Sequence, residues 1–299
     1  MRFLAALCLA AALNLSAQVH YTPGDKTITI DGKPFTAFHD GVEVGKPYLA
    51  PVRSASGKII TRGFPMENIA GESRDHVHHT GLWFSFDDVN GYKLWENHPS
   101  YTKPHMGREV VRSAEWQNGM LMAVIEWRDT DGNLLLAENR DMTFSGDAKL
   151  RTIDFRITLT AAQDVTFGDT KEGAFAIRLV EPFTERKGGR MVDADGRSTM
   201  KNVWGKRSNW VDYAAEVEGE RLGVAMFDHP QNPRHPTYWH ARDYGLFALN
   251  PFGQSAFDDK LPESQWKLPN GEKLVFQWRV VVHPGDADVA QMYQEYAKP

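Results

Sequence analysis

Apolar and polar residues along this 299-residue chain alternate with a period of two far more often than with the period of a helix. In "LRTIDFRITLT", Ile153, Phe155, Ile157 and Leu159 fall on one face and Thr152, Asp154, Arg156 and Thr158 on the other. Alternation of that length predicts a half-buried strand. "KTITIDGKPFTAF" reads as two strands around the turn Asp31-Gly32, and "MLMAVIEWRDTDGNLLLAENRDMTF" as two more around Asp131-Gly132. "GAFAIRLV", "RLGVAMF" and "EKLVFQWRVVV" add further strands, each bounded by turn residues. Near the C-terminus, Val289, Met292, Tyr293 and Tyr296 keep helical spacing, with Asp286 placed to cap. The pattern predicts one all-β domain over residues 18–299, a large antiparallel sandwich or barrel with a short C-terminal helix. Two turn-rich stretches, roughly 61–80 and 228–243, break the strands and hold most of the unusual residues.

The N-terminus changes the expected setting. Arg2, the apolar run Phe3 to Leu13 and the small residues of "NLSAQ" form a signal-peptide pattern over residues 1–17, with cleavage after Ala17. That run is too short to span a bilayer permanently, and no later stretch approaches the needed length. A periplasmic or secreted protein without stable membrane insertion is expected. Cys8 is the only cysteine and lies inside the signal, so the mature chain offers no disulfide, thiolate metal site or cysteine nucleophile. The formal net charge is −5, and no Lys/Arg cluster marks a nucleic-acid footprint. Nucleotide loops, the G-x-S-x-G elbow and H-E-x-x-H are all missing from the sequence.

What remains is histidine, carboxylate, arginine and aromatic surface. Eight of the eleven histidines crowd into two windows: His76, His78, His79, His98 and His105, then His229, His235 and His240. If the segment "DHVHH" is extended, His76 and His78 share a face roughly 6–7 Å apart while His79 points away. That spacing suits two ligands of one metal, or an acid/base with a substrate-orienting partner. In the second window Pro230, Pro233 and Pro236 stiffen a loop bearing His235, Tyr238, Trp239, His240, Arg242 and Asp243. Glu172 stands at the mouth of a predicted strand, where either a general base or a solvated turn carboxylate belongs. Arg62, Arg234 and Arg242 could grip hydroxyls or carboxylates in two-pronged fashion. Trp83, Trp95, Tyr238, Trp239 and Tyr244 flank the windows, and flat rings beside polar groups suit a sugar; of Trp83 and Trp95, at least one is expected in the core.

Three stretches together resemble a family of exported bacterial proteins labelled "methane oxygenase PmoA". They are Asp75-His76-Val77-His78-His79-Thr80-Gly81-Leu82-Trp83, Gly168 to Gly173, and Asp228 to Gly245. The family form of the first motif has Pro and Arg where this chain has Val77 and Thr80, so an arginine contribution at position 80 is missing. The label implies a membrane-embedded subunit, which a chain without a spanning stretch does not match. The family is similar to the galactose-mutarotase-like supersandwich, a large antiparallel β fold of carbohydrate enzymes. The resemblance implies a glycan or glycoside substrate, a histidine acid and a glutamate base. Carried onto this chain, those are His79 and Glu172, with His76 and His240 beside them and His78, Arg62, Trp83, Arg234, His235, Tyr238, Trp239, Arg242 and Asp243 as substrate-binding residues.

Three functions are therefore open. The first is a carbohydrate-active enzyme (epimerase, hydrolase or lyase) working by His/carboxylate acid–base chemistry without a cofactor. The second is a metal-dependent enzyme with a divalent ion held by the histidines. The third is a non-catalytic periplasmic carbohydrate-binding protein.

Overall fold

The computed structural model describes residues 17–101 and 103–298, so the expected signal lies, Ala17 apart, outside the described residues. Two antiparallel sheets face each other. The larger runs in the order Val19–Thr22, Thr27–Ile30, Lys33–His39, Tyr48–Leu49, Leu82–Val89, Gly173–Arg178, Leu246–Asn250 and Tyr238–Ala241, with three short strands attached at its side. The smaller runs Arg190–Asp193, Trp210–Val217, Glu220–Asp228, Lys273–Pro284, Arg151–Ala161, Leu134–Gly146, Met120–Arg128 and Arg108–Gln117. This is the expected all-β antiparallel sandwich. The predicted hairpins close at Asp31-Gly32 and Asp131-Gly132, where each glycine takes a positive φ.

Alternation reads correctly along Arg151–Ala161 because only one face of that strand is fully dry. Along Arg151–Ala161, Ile153, Phe155, Ile157 and Leu159 are buried. They meet the inward residues of the larger sheet across a layer of aromatic rings. Phe175 stacks on Trp278 at 5.0 Å and meets Phe155 edge-on at 4.7 Å, while Phe84 lies 5.4 Å from Trp127. The central strands of the larger sheet behave differently. Gly173–Arg178 and Leu246–Asn250 are buried on both faces, because the stretch 61–80 and the turn around Trp95 cover the outer side. That outer side carries the candidate site.

Two details differ from expectation. The stretch 228–243 contains the edge strand Tyr238–Ala241, which pairs with Leu246–Asn250. The C-terminal helix is Val289–Tyr296, and its cap is Asp288, whose side chain accepts from the Gln291 amide at 2.9 Å, rather than Asp286. Asp288 directly precedes the first helical residue, so its carboxylate reaches the free amides of the first turn.

The loop after Glu220–Asp228 is stiffened by a buried carboxylate as well as by prolines. Asp228 accepts from the Asn232 side-chain amide (2.7 Å), the Thr237 amide (3.0 Å), His235 Nδ1 (2.8 Å) and Trp278 Nε1 (3.2 Å). Removing that acceptor strands several buried donors at once. Asp228→Ala is expected to lower unfolding free energy by about 3–5 kcal/mol in urea denaturation, against less than about 0.5 kcal/mol for the exposed Lys201→Ala. Equal effects would remove Asp228 as the anchor of this loop.

Candidate functional site

The histidine segment is a tight turn rather than an extended strand. The His79 amide donates to the His76 carbonyl at 3.0 Å, and His76 takes a left-handed φ of 44°. A non-glycine residue in that region is strained, and such strain persists where surrounding contacts hold it. The turn ends at Gly81, φ 59°, where a Cβ would collide with the Leu49 carbonyl. As a result all three imidazoles gather on one side. Ring centroids are 5.8 Å apart for His76 and His78, 4.7 Å for His76 and His79, and 4.5 Å for His78 and His79. The expectation that His79 points away is corrected, since it presupposed an extended backbone.

Four rings form a continuous pile. Tyr244 stacks on His76 at 5.1 Å, His76 on His79 at 4.7 Å, and His79 on Trp83 at 5.4 Å. Both Trp83 and Trp95 are buried, so the expectation that at least one is core holds for both. The sheet register explains where the pile stands. Tyr48, Trp83, Ala176, Ala248 and His240 lie side by side across five strands. The two alanines keep the middle of that row low, and Trp95, Leu246 and Tyr244 pack over it.

Behind the turn sits an ion cluster. Asp75 Oδ1 accepts from Arg62 and from Arg178, each at 2.7 Å, and lies 3.2 Å from His76 Nδ1. Burial alone would raise the Asp75 carboxyl, but the His76 hydrogen bond and the two guanidiniums hold it well below the usual range. Arg62 also donates to the carbonyls of Phe64, Ser73, Asp75, His76 and His79, so it fastens the whole 64–79 segment. Arg178 donates to His79 Nδ1 at 3.0 Å. A guanidinium cannot accept, so His79 must present a lone pair at Nδ1 and carry its proton on Nε2.

A hollow of about 270 Å³ opens over this platform. His76, His78 and His79 form one wall; His240, Arg242 and Tyr244 come from the second window; Glu172 with Lys171, and Glu96, close the rest. The two windows, more than a hundred residues apart in sequence, thus meet in one cleft. Glu172 pairs with Lys171, and Glu96 with Lys103 at 2.8 Å and Lys93 at 3.3 Å. The turn bearing Glu96 is held from below. Lys46, fully buried, donates to the Trp95 carbonyl at 2.9 Å and the Asn97 carbonyl at 3.3 Å, and burial lowers its ammonium to about 8. Asp87 accepts from the Glu96 amide at 3.2 Å and donates its own amide to the Glu172 carbonyl at 2.9 Å. Burial raises its carboxyl to about 7.

The imidazoles divide by burial. His78 is pushed down to about 2, first by burial and then by the Lys46 ammonium. His79 is driven well below the ordinary value by burial and by the charges of His78 and Arg178. His240 falls to about 4 for the same first reason, opposed by Glu172. Its Nδ1 donates to the Lys171 carbonyl at 2.9 Å, which leaves Nε2 as an acceptor. At neutral pH these three rings are uncharged. His79, expected as the acid, has no imidazolium proton to give. His76 is the outermost ring: its side chain is 40% exposed and its Nδ1 faces the Asp75 carboxylate.

Several expected residues lie elsewhere. Trp239 is fully buried, with Nε1 donating to the Ser208 carbonyl at 2.8 Å. His235 serves the Asp228 anchor, and Tyr238 stacks on Phe257 at 5.5 Å. Arg234 donates to the carbonyls of Pro251 and Phe252 and to Ser264 Oγ, and lies over Trp266. Asp243 is exposed at a turn outside the hollow's lining, and Trp83 supports the imidazoles from beneath. Arg62 acts through Asp75 and the turn. Sequence reasoning missed Asp75, Glu96, Lys171 and Arg178 as site residues. Arg178 left a trace, being the one charge in the apolar run "GAFAIRLV"; Glu96 carried no motif. Among the described residues, no group of three His, Asp or Glu side chains converges in a metal-binding arrangement, and no helix is long and apolar enough to cross a membrane.

Comparison with solved structures finds matches at low identity. An alpha-galactosidase from Lactobacillus brevis is 9% identical, with 90% of this chain and 39% of that one covered and a TM-score of 0.39. The alpha-galactosidase AgaA from Geobacillus stearothermophilus is 12% identical, with 89% and 40% covered and a TM-score of 0.40. A galactose mutarotase related enzyme from Lactobacillus acidophilus is 8% identical, with 92% and 97% covered and a TM-score of 0.35. The chain spans about two fifths of the length of the two galactosidases. No match was found among curated proteins. The family description that does match states no activity and is not the methane-oxygenase label. With that description covering residues 26–297, the chain belongs to the family of unknown function DUF6807.

Proposed function

We propose that this is an exported carbohydrate-active enzyme that works on one sugar unit of a glycan or glycoside by acid–base chemistry in the hollow. One observation carries the reading: an Asp75-oriented imidazole, a carboxylate and an uncharged imidazole acceptor line the same polar cleft beside a wall of stacked rings. Its volume of about 270 Å³ is just under the roughly 300–1,000 Å³ of small-molecule pockets. A sugar in the hollow can rest against the edges of these rings and turn its hydroxyls toward Glu172, Glu96 and His240 Nε2. His76 is the proton donor in its doubly protonated form, with Nδ1–H held by Asp75 and Nε2–H directed to the substrate. Glu172 is the acceptor, and His240 accepts from a substrate hydroxyl. His79 takes a positioning role: it carries His76 on its face and is fixed by Arg178.

Exposing the protein to a glycan panel and analysing products tests this. Turnover on at least one glycan is expected, with losses of about 100-fold or more in His76→Ala and in Glu172→Gln. Retained sugar affinity in both variants would separate chemistry from binding. Binding without any product, equal in wild type and variants, would leave a carbohydrate-binding protein instead.

Burial of His240 also sets an acid limit. Its folded value of about 4 lies below the ordinary ~6.5. Its contribution to stability is therefore complete above pH 6.5 and is lost as pH falls toward 4, because the unfolded chain takes up the proton first. Replacing it by Asn removes that slope while leaving Asp87 and His78 in place. The stability advantage of wild type over His240→Asn should shrink by roughly 2–3 kcal/mol between pH 7 and pH 4. Parallel urea-unfolding curves for the two proteins across that range would contradict a neutral, buried His240.

A further inference from the structure

We infer that the sugar unit carries a carboxylate, as a uronic acid does, and that Arg242 receives it; this rests on the carbohydrate reading above and narrows its substrate class. The arginines around the hollow are not equivalent. The terminal nitrogens of Arg62 and Arg178 are committed to Asp75, to backbone carbonyls and to His79, although the Arg178 Nε, like that of Arg242, is buried without a partner. Arg234 is spent on carbonyls and Ser264 well away from the lining. Arg242 lines the hollow, and its guanidinium has neither a hydrogen-bond acceptor nor a carboxylate partner among the described residues; its Nε is buried and unpaired. A guanidinium on the wall of a hollow with no acceptor of its own is open to an anionic ligand.

The backbone that carries that guanidinium is well fixed. The Arg242 amide donates to the Leu246 carbonyl at 2.7 Å, and its carbonyl accepts from the Gly245 amide at 3.2 Å and from the Tyr213 hydroxyl at 3.1 Å. Its guanidinium lies over the Tyr244 ring at 5.4 Å, with Arg178 over the same ring at 4.5 Å. A planar fork held in this way suits the two oxygens of a carboxylate.

The surrounding charge points the same way. Two guanidiniums share the single Asp75 carboxylate, and Lys93 and Lys103 share Glu96. Lys171 and Glu172 offset one another, and Arg242 is left over. The lining itself balances Lys171 and Arg242 against Glu96 and Glu172, and the arginines and lysines paired just behind it give the surroundings a cationic surplus, in a chain whose formal net charge is −5. A neutral sugar would leave that surplus uncompensated, whereas a uronate supplies one matching charge in the geometry the fork requires.

Calorimetric titration of the full chain with short oligosaccharides is the test. The probes are galacturonate, glucuronate and mannuronate oligomers, their methyl esters, and the neutral galactose, glucose and mannose counterparts. At least one acid oligomer should bind about tenfold or more tightly than both its ester and its neutral counterpart. Arg242→Gln should abolish that preference by weakening the acid oligomer about tenfold more than its neutral counterpart, and Arg242→Lys should restore part of it. If esters or neutral oligomers bind wild type as tightly as acids, or Arg242→Gln weakens all of them alike, the uronate inference fails and the carbohydrate reading stands. If no saccharide binds, acidic or neutral, both fail. If acetate or phosphate alone displaces the acid oligomer at equal concentration, the hollow recognises an anion rather than an acidic sugar, and the inference fails. The comparison of acid with ester needs no variant, so it holds even if a substitution destabilises the fold.

Discussion

A single carboxylate, Asp75, holds the site together. Two buried guanidiniums from distant parts of the chain converge on one of its oxygens, Arg62 from the entry to the turn-rich segment and Arg178 from the end of a central strand. Burying two like charges together is unfavourable unless an anion sits between them and carbonyls take up the remaining donors. Here the 64–79 segment supplies both, so it cannot leave the sheet without stranding both cations. The same carboxylate faces His76, and Arg178 fixes the protonation of His79. Turn geometry, ring stacking and tautomer are therefore consequences of one ionic node.

The crowding of three histidines into four positions follows from that arrangement. An imidazole is flat, stacks well, and can donate at one nitrogen while accepting at the other. His79 uses these properties in burial, between His76 and Trp83 and against Arg178. His78 is buried near Lys46 and is neutral for that reason. His76, outermost of the three and backed by a carboxylate, is the ring with access to a ligand. Identical residue types, one or two positions apart, are separated in role by a few ångströms of depth.

The strand pattern was legible wherever one face of a sheet is solvated, as along Arg151–Ala161. It was less legible along Gly173–Arg178, where a covering segment makes both faces dry and erases the alternation. At the site, clustering and motif composition pointed to His76, His78, His79, Glu172, His240 and Arg242, all of which line one hollow. The same reasoning could not tell Arg242 from Arg62 or Arg234. An arginine's role depends on whether its donors are already taken, and its neighbours in space decide that. Glu96 was passed over although Trp95 and His98 beside it were noted, because a lone carboxylate carries no motif; the turn held by Lys46 and Asp87 brings it to the rim.

By itself the sequence determined the β class, the main hairpins and which segments carry polar chemistry, because alternation, turn glycines and composition are local properties of the chain. Tertiary structure alone decided depth and partnership: that His79 is buried and neutral while His76 is exposed, that Trp239 is core, and that Asp75 joins Arg62 to Arg178. Those outcomes depend on desolvation and on contacts between residues as much as a hundred positions apart or more, and no local pattern encodes either.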